Sequence, residues 1–96
     1  MNEPRPANPP KVTLYALLTC PHCRRLKEFL QEHGVRYELV LVDLLTGDER
    51  SAVLAAVKQV NPACSFPTLI VDDQVIVGYQ PAQVLKVLRK AGAVFL

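Results

Sequence analysis

The sequence predicts an α/β domain with its elements in the order βαβαββα, and three observations carry that reading. Short runs rich in β-branched, aromatic and aliphatic residues alternate with stretches whose apolar residues recur at helical spacing. Two of the runs, Phe66 to Val71 and Gln74 to Val77, are separated only by Asp72-Asp73, which reads as a tight antiparallel hairpin. Finally, the first run leads into Thr19-Cys20-Pro21-His22-Cys23, where a helical pattern begins, so two cysteines with two residues between them stand at a strand-to-helix junction.

Whole-chain quantities bound what that junction can mean. Ninety-six residues, 50% hydrophobic and 21% charged, suit one domain with a single core. Residues 1–10 hold four prolines with Asn, Glu and Arg and no apolar pattern, and are expected to be a disordered, proline-rich tail. Residues 11–96 form the folded domain. The formal charge of +2 comes with no basic block interleaved with aromatics, which argues against a nucleic-acid partner. No run approaches the roughly 18 to 20 apolar residues of a membrane span, and the start of the chain lacks the apolar stretch of a signal peptide. A cytoplasmic location is therefore expected. In that reducing compartment three cysteines do not make a structural disulfide framework, whereas a CxxC beside a strand and a helix suits thioredoxin-like redox chemistry.

Each element has its own justification. Lys11 to Leu18 is short and apolar enough for a central strand buried on both faces. The helix from Pro21 to His33 is opened by Pro21 and closed by Gly34 in a left-handed position. Val35 to Val42 is the second strand, and two strands joined by a helix imply a right-handed parallel crossover. Thr46 to Asp48, with Glu49 in the next turn, starts a helix with the stripe Val53, Leu54, Val57 and Val60, ended by Asn61-Pro62. After the hairpin, Pro81 opens a last helix with Val84, Leu85 and Leu88 inward, Arg89 and Lys90 near its negative end, and Gly92 as the stop.

At the motif, Pro21 as first helical residue puts Cys20 at the helix N-terminus, where unpaired N–H groups and the macrodipole favour a thiolate. Cys20 is the candidate nucleophile. Cys23, Leu26, Phe29 and Leu30 share one helical stripe, so the second sulfur is expected on the buried side as the resolving thiol. His22 is expected to favour the thiolate and make the pair more oxidising than thioredoxin. Arg24, Arg25 and Lys27 read as a solvated face, Cys64 as a small loop residue, and His33 as a residue suited to a helix C-terminus. A structural zinc site drawn from Cys20, Cys23, Cys64 and His33 lacks a second CxxC or HxxxH, so no metal is expected.

The strand Leu14-Tyr15 leading into Cys20-Pro21-His22-Cys23, the segment Ser65-Phe66-Pro67-Thr68 and the pair Gly78-Tyr79 together resemble the glutaredoxin family over Val12 to Leu88. The resemblance implies a thioredoxin-like fold: a four-stranded mixed sheet in order 2-1-3-4, flanked by three helices, with a cis Pro67 beside the active-site sulfurs. It implies a thiol-disulfide oxidoreductase, acting as a monomer on disulfide-containing proteins or glutathione mixed disulfides, with no tightly bound cofactor and glutathione as a possible co-substrate. Pro21, His22 and Pro67 are then supporting residues, and Tyr15, Ser65, Phe66, Gly78 and Tyr79 substrate-binding ones. Where glutathione-using members carry a cation three residues before the nucleophile, this chain has Leu17. Its Val77-Gly78-Tyr79-Gln80-Pro81 segment is instead similar to the NrdH-type redoxins, which thioredoxin reductase recharges. The Pro-His dipeptide resembles DsbA-type oxidants, and some glutaredoxins bridge an iron-sulfur cluster between two subunits, a less favoured alternative here.

Overall fold

The computed structural model describes residues 10–92, so the tail expected over residues 1–10 lies outside the described residues except for Pro10. Four strands, β1 (Val12–Ala16), β2 (Glu38–Leu41), β3 (Thr68–Val71) and β4 (Gln74–Val77), form one sheet in the order β2-β1-β3-β4. β1 pairs parallel with β2 and antiparallel with β3, and β4 is antiparallel to β3. The helices are α1 (Pro21–Glu32), α2 (Gly47–Val60) and α3 (Pro81–Lys90), with a short 3-10 helix, Val42–Leu44, after β2. This is the four-stranded mixed sheet with three helices of the thioredoxin-like fold.

The centre of the sheet is where the sequence placed it. β1 has partners on both edges and is buried along nearly its whole length. Period-two alternation sends Val12, Leu14 and Ala16 to one face, where they join Leu69, Val71 and Ile76 from the sheet. Cys23, Leu26 and Leu30 of α1 and Val84, Val87 and Leu88 of α3 cover that face. α2 serves the opposite face: its C-cap Asn61 hydrogen-bonds Thr68, whose side chain points away from the Leu69 and Val71 side.

Several boundaries differ from the sequence reading. β1 stops at Ala16 rather than Leu18, because the chain leaves the sheet there to reach α1. α1 ends at Glu32, with His33 as its C-cap, and Val35 to Tyr37 precede β2 instead of forming it. Those residues close a Schellman motif: the Gly34 N–H donates to the Gln31 carbonyl at 3.1 Å and the Val35 N–H to the Leu30 carbonyl at 3.0 Å. β3 begins at Thr68 rather than Phe66, since Pro67 has no N–H to give a ladder. In α2, Val60 is 39% exposed, because the inward position of the last turn, four residues after the buried Val57, is Asn61. In α3 the buried stripe is Val84, Val87 and Leu88, with Ala91 packed behind them, so Val87 and not Leu85 is the inward residue that i, i+3, i+4, i+7 spacing demands.

Among the described residues, no helix is long and apolar enough to cross a membrane. Gly34 has φ +68, as the Schellman motif requires. Gly34→Val should destabilise the fold by about 1–2 kcal/mol, the cost of a left-handed conformation with a Cβ, read as a lower urea midpoint; an unchanged midpoint would contradict the assigned helix stop.

Candidate active site

The sheet register gathers four chain segments at one end. Ala16 pairs with Leu41 and Tyr15 with Thr68, while Thr68 pairs with Val77. The turn after β1, the 3-10 helix after β2, the residues before β3 and those after β4 therefore share that edge, and α1 starts from it.

Cys20 is the N-cap of α1, with extended backbone (φ −81, ψ 120), and Pro21 occupies the first helical position, where a missing N–H costs nothing. The Cys23 N–H donates to the Cys20 Sγ at 3.3 Å, and the Cys20 carbonyl accepts from the Arg24 N–H at 3.0 Å. A sulfur at this position receives a backbone donor and faces the positive end of the helix dipole, an environment suited to its anion. Cys20 is half-buried, packed against the core; Cys23 is 3% exposed. Both cysteines are free thiols here.

The buried sulfur holds its proton tightly. Burial pushes the Cys23 thiol up from 9.0 to about 12. A hydrogen bond to Cys20, the negative charge on Cys20 and the Asp43 carboxylate act in the same direction, while a backbone hydrogen bond from Leu17 opposes them. At neutral pH Cys23 is protonated.

Of the expected residues, some gather beside the cysteines and others do not. The Phe66-Pro67 bond is cis and Pro67 is fully buried. The Pro67 carbonyl accepts the Gly78 N–H at 2.9 Å, tying this segment to the residue that leaves β4 with φ +83. Phe66 and Tyr79 are half-buried against the same core cluster that holds Cys23, and Tyr79 meets the α1 residue Phe29 edge-on at 6.4 Å. His22, like Pro21, sits exposed in the first turn of α1. Tyr15 alternates with Leu14 and Ala16 and so belongs to the other face of the sheet, with Thr13. Cys64 lies in the loop before Ser65 with φ +51. His33 is at the far end of α1, its Nδ1 donating to the Phe29 carbonyl at 2.9 Å and its ring 4.2 Å from that of Phe29, as suits a helix C-terminus. Among the described residues, no three of His, Cys, Asp and Glu are grouped to hold a metal ion.

Two residues at this edge escaped the sequence reading. Asn61, read only as a helix stop, is 4% exposed and donates through Nδ2 to the Ser65 carbonyl (3.1 Å), the Ser65 Oγ (3.2 Å) and the Thr68 Oγ1 (3.0 Å). Thr68 in turn donates to the Ser65 carbonyl at 2.7 Å, so this buried knot fixes the loop that delivers Phe66 and Pro67. Asp43 accepts the Leu18 N–H through both carboxylate oxygens, at 3.0 and 3.1 Å. A lone acid directly after an apolar strand, at the strand end shared with the motif, was the available signal.

A crevice of about 30 Å³ opens beside Cys23 between Leu17, Leu18, Leu39, Arg24 and Lys27. A larger hollow of about 410 Å³, lined by Asp72, Asp73, Lys86 and Lys90 among others, lies at the opposite, hairpin end of the sheet, away from the cysteines.

Comparison with known proteins agrees with this architecture. The glutaredoxin family model matches residues 12–76. The Gene 56 protein of Mycobacterium phage D29 is 35% identical over 74 residues, covering 76% of this chain and 77% of that protein. Among solved structures, methanoredoxin from Methanosarcina acetivorans superposes with a TM-score of 0.80 at 40% identity, covering 83% of this chain and 85% of the other. The glutaredoxin grx-1 of Archaeoglobus fulgidus superposes with a TM-score of 0.79 at 35% identity, covering 83% and 87%.

Alkylation of the reduced, folded protein at neutral pH should modify Cys20 and leave Cys23 unlabelled, with Cys23 labelling rising only as the pH climbs toward about 12. Peptide mapping by mass spectrometry reads the sites; equal labelling of the two at neutral pH would contradict the assigned roles.

Proposed function

Since the chain belongs to the glutaredoxin family, we propose that it is a thiol-disulfide oxidoreductase that reduces protein disulfides or glutathione mixed disulfides through Cys20 and Cys23. The observation that carries this is the pairing of a half-buried sulfur at a helix N-terminus, bonded by the Cys23 N–H, with a buried thiol one turn on. The Cys20 thiolate attacks one sulfur of the substrate disulfide; that S–S bond breaks, the departing sulfur takes up a proton, and a mixed disulfide forms on Cys20. Cys23 then gives up its proton and attacks the Cys20 sulfur. The second substrate thiol leaves reduced, and the protein keeps the Cys20–Cys23 disulfide.

The acidity of Cys23 orders these steps. Two of the influences that hold its proton in place, the hydrogen bond to Cys20 and the Cys20 charge, disappear once Cys20 is tied up in a neutral mixed disulfide. Ionisation of Cys23 becomes easier when its thiolate is needed and is suppressed beforehand, which keeps the pair reduced until substrate arrives. Phe66, whose backbone precedes the cis Pro67, and the Gly78-Tyr79 segment are the surfaces on which we expect an extended substrate segment to dock. The protein is proposed to act as a monomer in the cytoplasm, on disulfide-containing proteins.

Recharging by thioredoxin reductase is a second reading, and particular residues favour it over glutathione. Leu17 stands where a cation would meet a glutathione carboxylate. Pro81 at the first position of α3 has no N–H, and the Gln80 side chain donates to the Val77 carbonyl at 2.6 Å. The start of α3 is thereby poorer in free donors for a γ-glutamyl carboxylate.

Cys20→Ser should abolish disulfide reduction, and Cys23→Ser should accumulate mixed disulfides. NADPH consumption coupled either to glutathione with its reductase or to thioredoxin reductase checks both points and identifies the reductant. Full activity in Cys20→Ser would overturn the proposal.

A further inference from the structure

We propose that Asp43 is a positioning residue for the exchange reaction: its carboxylate clamps the turn between β1 and α1 and so holds the backbone that hydrogen-bonds Cys20 and walls the crevice beside Cys23. The inference rests on the thiol-disulfide reading above and deepens it.

The clamp is built from two strand ends. β2 runs parallel to β1 and ends beside it, with Ala16 opposite Leu41. Val42, 2% exposed, anchors the chain beyond that point, and Asp43 follows on the 3-10 helix. Exposed acids ordinarily face water. This one places both oxygens on a single backbone donor, the Leu18 N–H, at 3.0 and 3.1 Å, across 25 residues of sequence. A charged acceptor on a neutral N–H makes the stronger class of hydrogen bond.

What the clamp holds is the neighbouring residue. The Leu17 carbonyl accepts the Cys20 N–H at 3.4 Å, and Leu17 lines the same crevice as Cys23. Leu17 therefore lies against both ends of the motif, and Asp43 fixes the residue beside it. Pro21 and the Cys23 N–H restrain Cys20, and the Leu26–Leu30 stripe keeps Cys23 inward; what the turn adds is the wall of the crevice beside Cys23, against which its sulfur moves when it attacks Cys20. The step sensitive to the clamp is thus the second.

Asp43 also carries a charge that opposes ionisation of Cys23, with Arg24 and Lys27 on the same crevice as countercharges. Loss of the clamp should slow the second step, while loss of the charge alone should not. Two substitutions separate the effects: Asp43→Asn keeps an acceptor oxygen for Leu18 and removes the charge, and Asp43→Ala removes both.

The test uses the full chain carrying Cys64→Ser, so that only two thiols report. Reduced protein is mixed with dithiobis-nitrobenzoate in a stopped-flow instrument. Attack by the Cys20 thiolate breaks the aryl disulfide, releases one aryl thiolate and leaves an aryl mixed disulfide on Cys20. Attack by the Cys23 thiolate, its proton passing to solvent, forms the Cys20–Cys23 disulfide and releases the second aryl thiolate. The protein is oxidised by two electrons and the probe reduced by two. Asp43→Ala should slow the second phase roughly tenfold while the first stays within about twofold, and Asp43→Asn should restore most of the second-phase rate. Equal slowing of both phases, equal slowing by Ala and Asn, or no change in Ala would each overturn the clamp. Absence of a second phase in the protein with Asp43 intact would instead overturn the Cys20–Cys23 exchange itself.

Discussion

The Cys23 N–H reaches the Cys20 sulfur because Pro21 begins α1 immediately after Cys20, and α1 begins there because β1 releases the chain at Ala16. Four residues span the gap. They do so at the edge of a strand that has partners on both sides and is buried nearly throughout, so the strand cannot slide without flipping its apolar residues into the wrong layer. The position of the sulfur is thus inherited from the most constrained strand of the sheet. Leu26 and Leu30, fully buried on the same helix face as Cys23, fix the rotation of α1 and keep the second sulfur inward.

The other segments at this edge are held by polar contacts set on that frame. Asn61 and Thr68 bind the Ser65 carbonyl from two sides, which sets the approach to the cis Pro67. The Pro67 carbonyl continues the β3–β4 ladder by one bond, to Gly78. Asp43 ties the turn before Cys20 to the end of β2. The bonds to Ser65 are local and the Asp43–Leu18 bond spans 25 residues, but all of them gather at the end of the sheet, so the reactive end is stitched together by loops, while the apolar layer holds the elements. One sulfur at the helix start is left accessible and the other is enclosed, the asymmetry that sequential exchange requires.

Much of this was legible in the sequence because it depends on local rules. The proline after Cys20, the stripe from Cys23 to Leu30, the glycines after α1 and α3 and the two-residue hairpin at Asp72-Asp73 each act within a few positions, and each is found as read. The resemblance supplied the strand order and the cis proline. Illegible were features decided by distant partners. Val60 satisfies an apolar pattern that Asn61 breaks, yet Asn61 is the buried residue, while Val87 in place of Leu85 follows from the spacing of Val84, Leu88 and Ala91. The Asn61 knot required a polar residue to be buried, which an apolar pattern cannot announce, and the Asp43 clamp required knowing that β2 ends beside β1.

Whether Cys20 and Cys23 form one reversible redox pair is tested by a titration in dithiothreitol buffers of stepped potential. After equilibration the free thiols are alkylated and the protein is mapped by mass spectrometry. A single two-electron transition is expected, in which Cys20 and Cys23 become protected together and their peptides are joined, with Cys64 alkylated throughout. A pair that stays reduced at every potential, or a bond that forms to Cys64 instead, would contradict it.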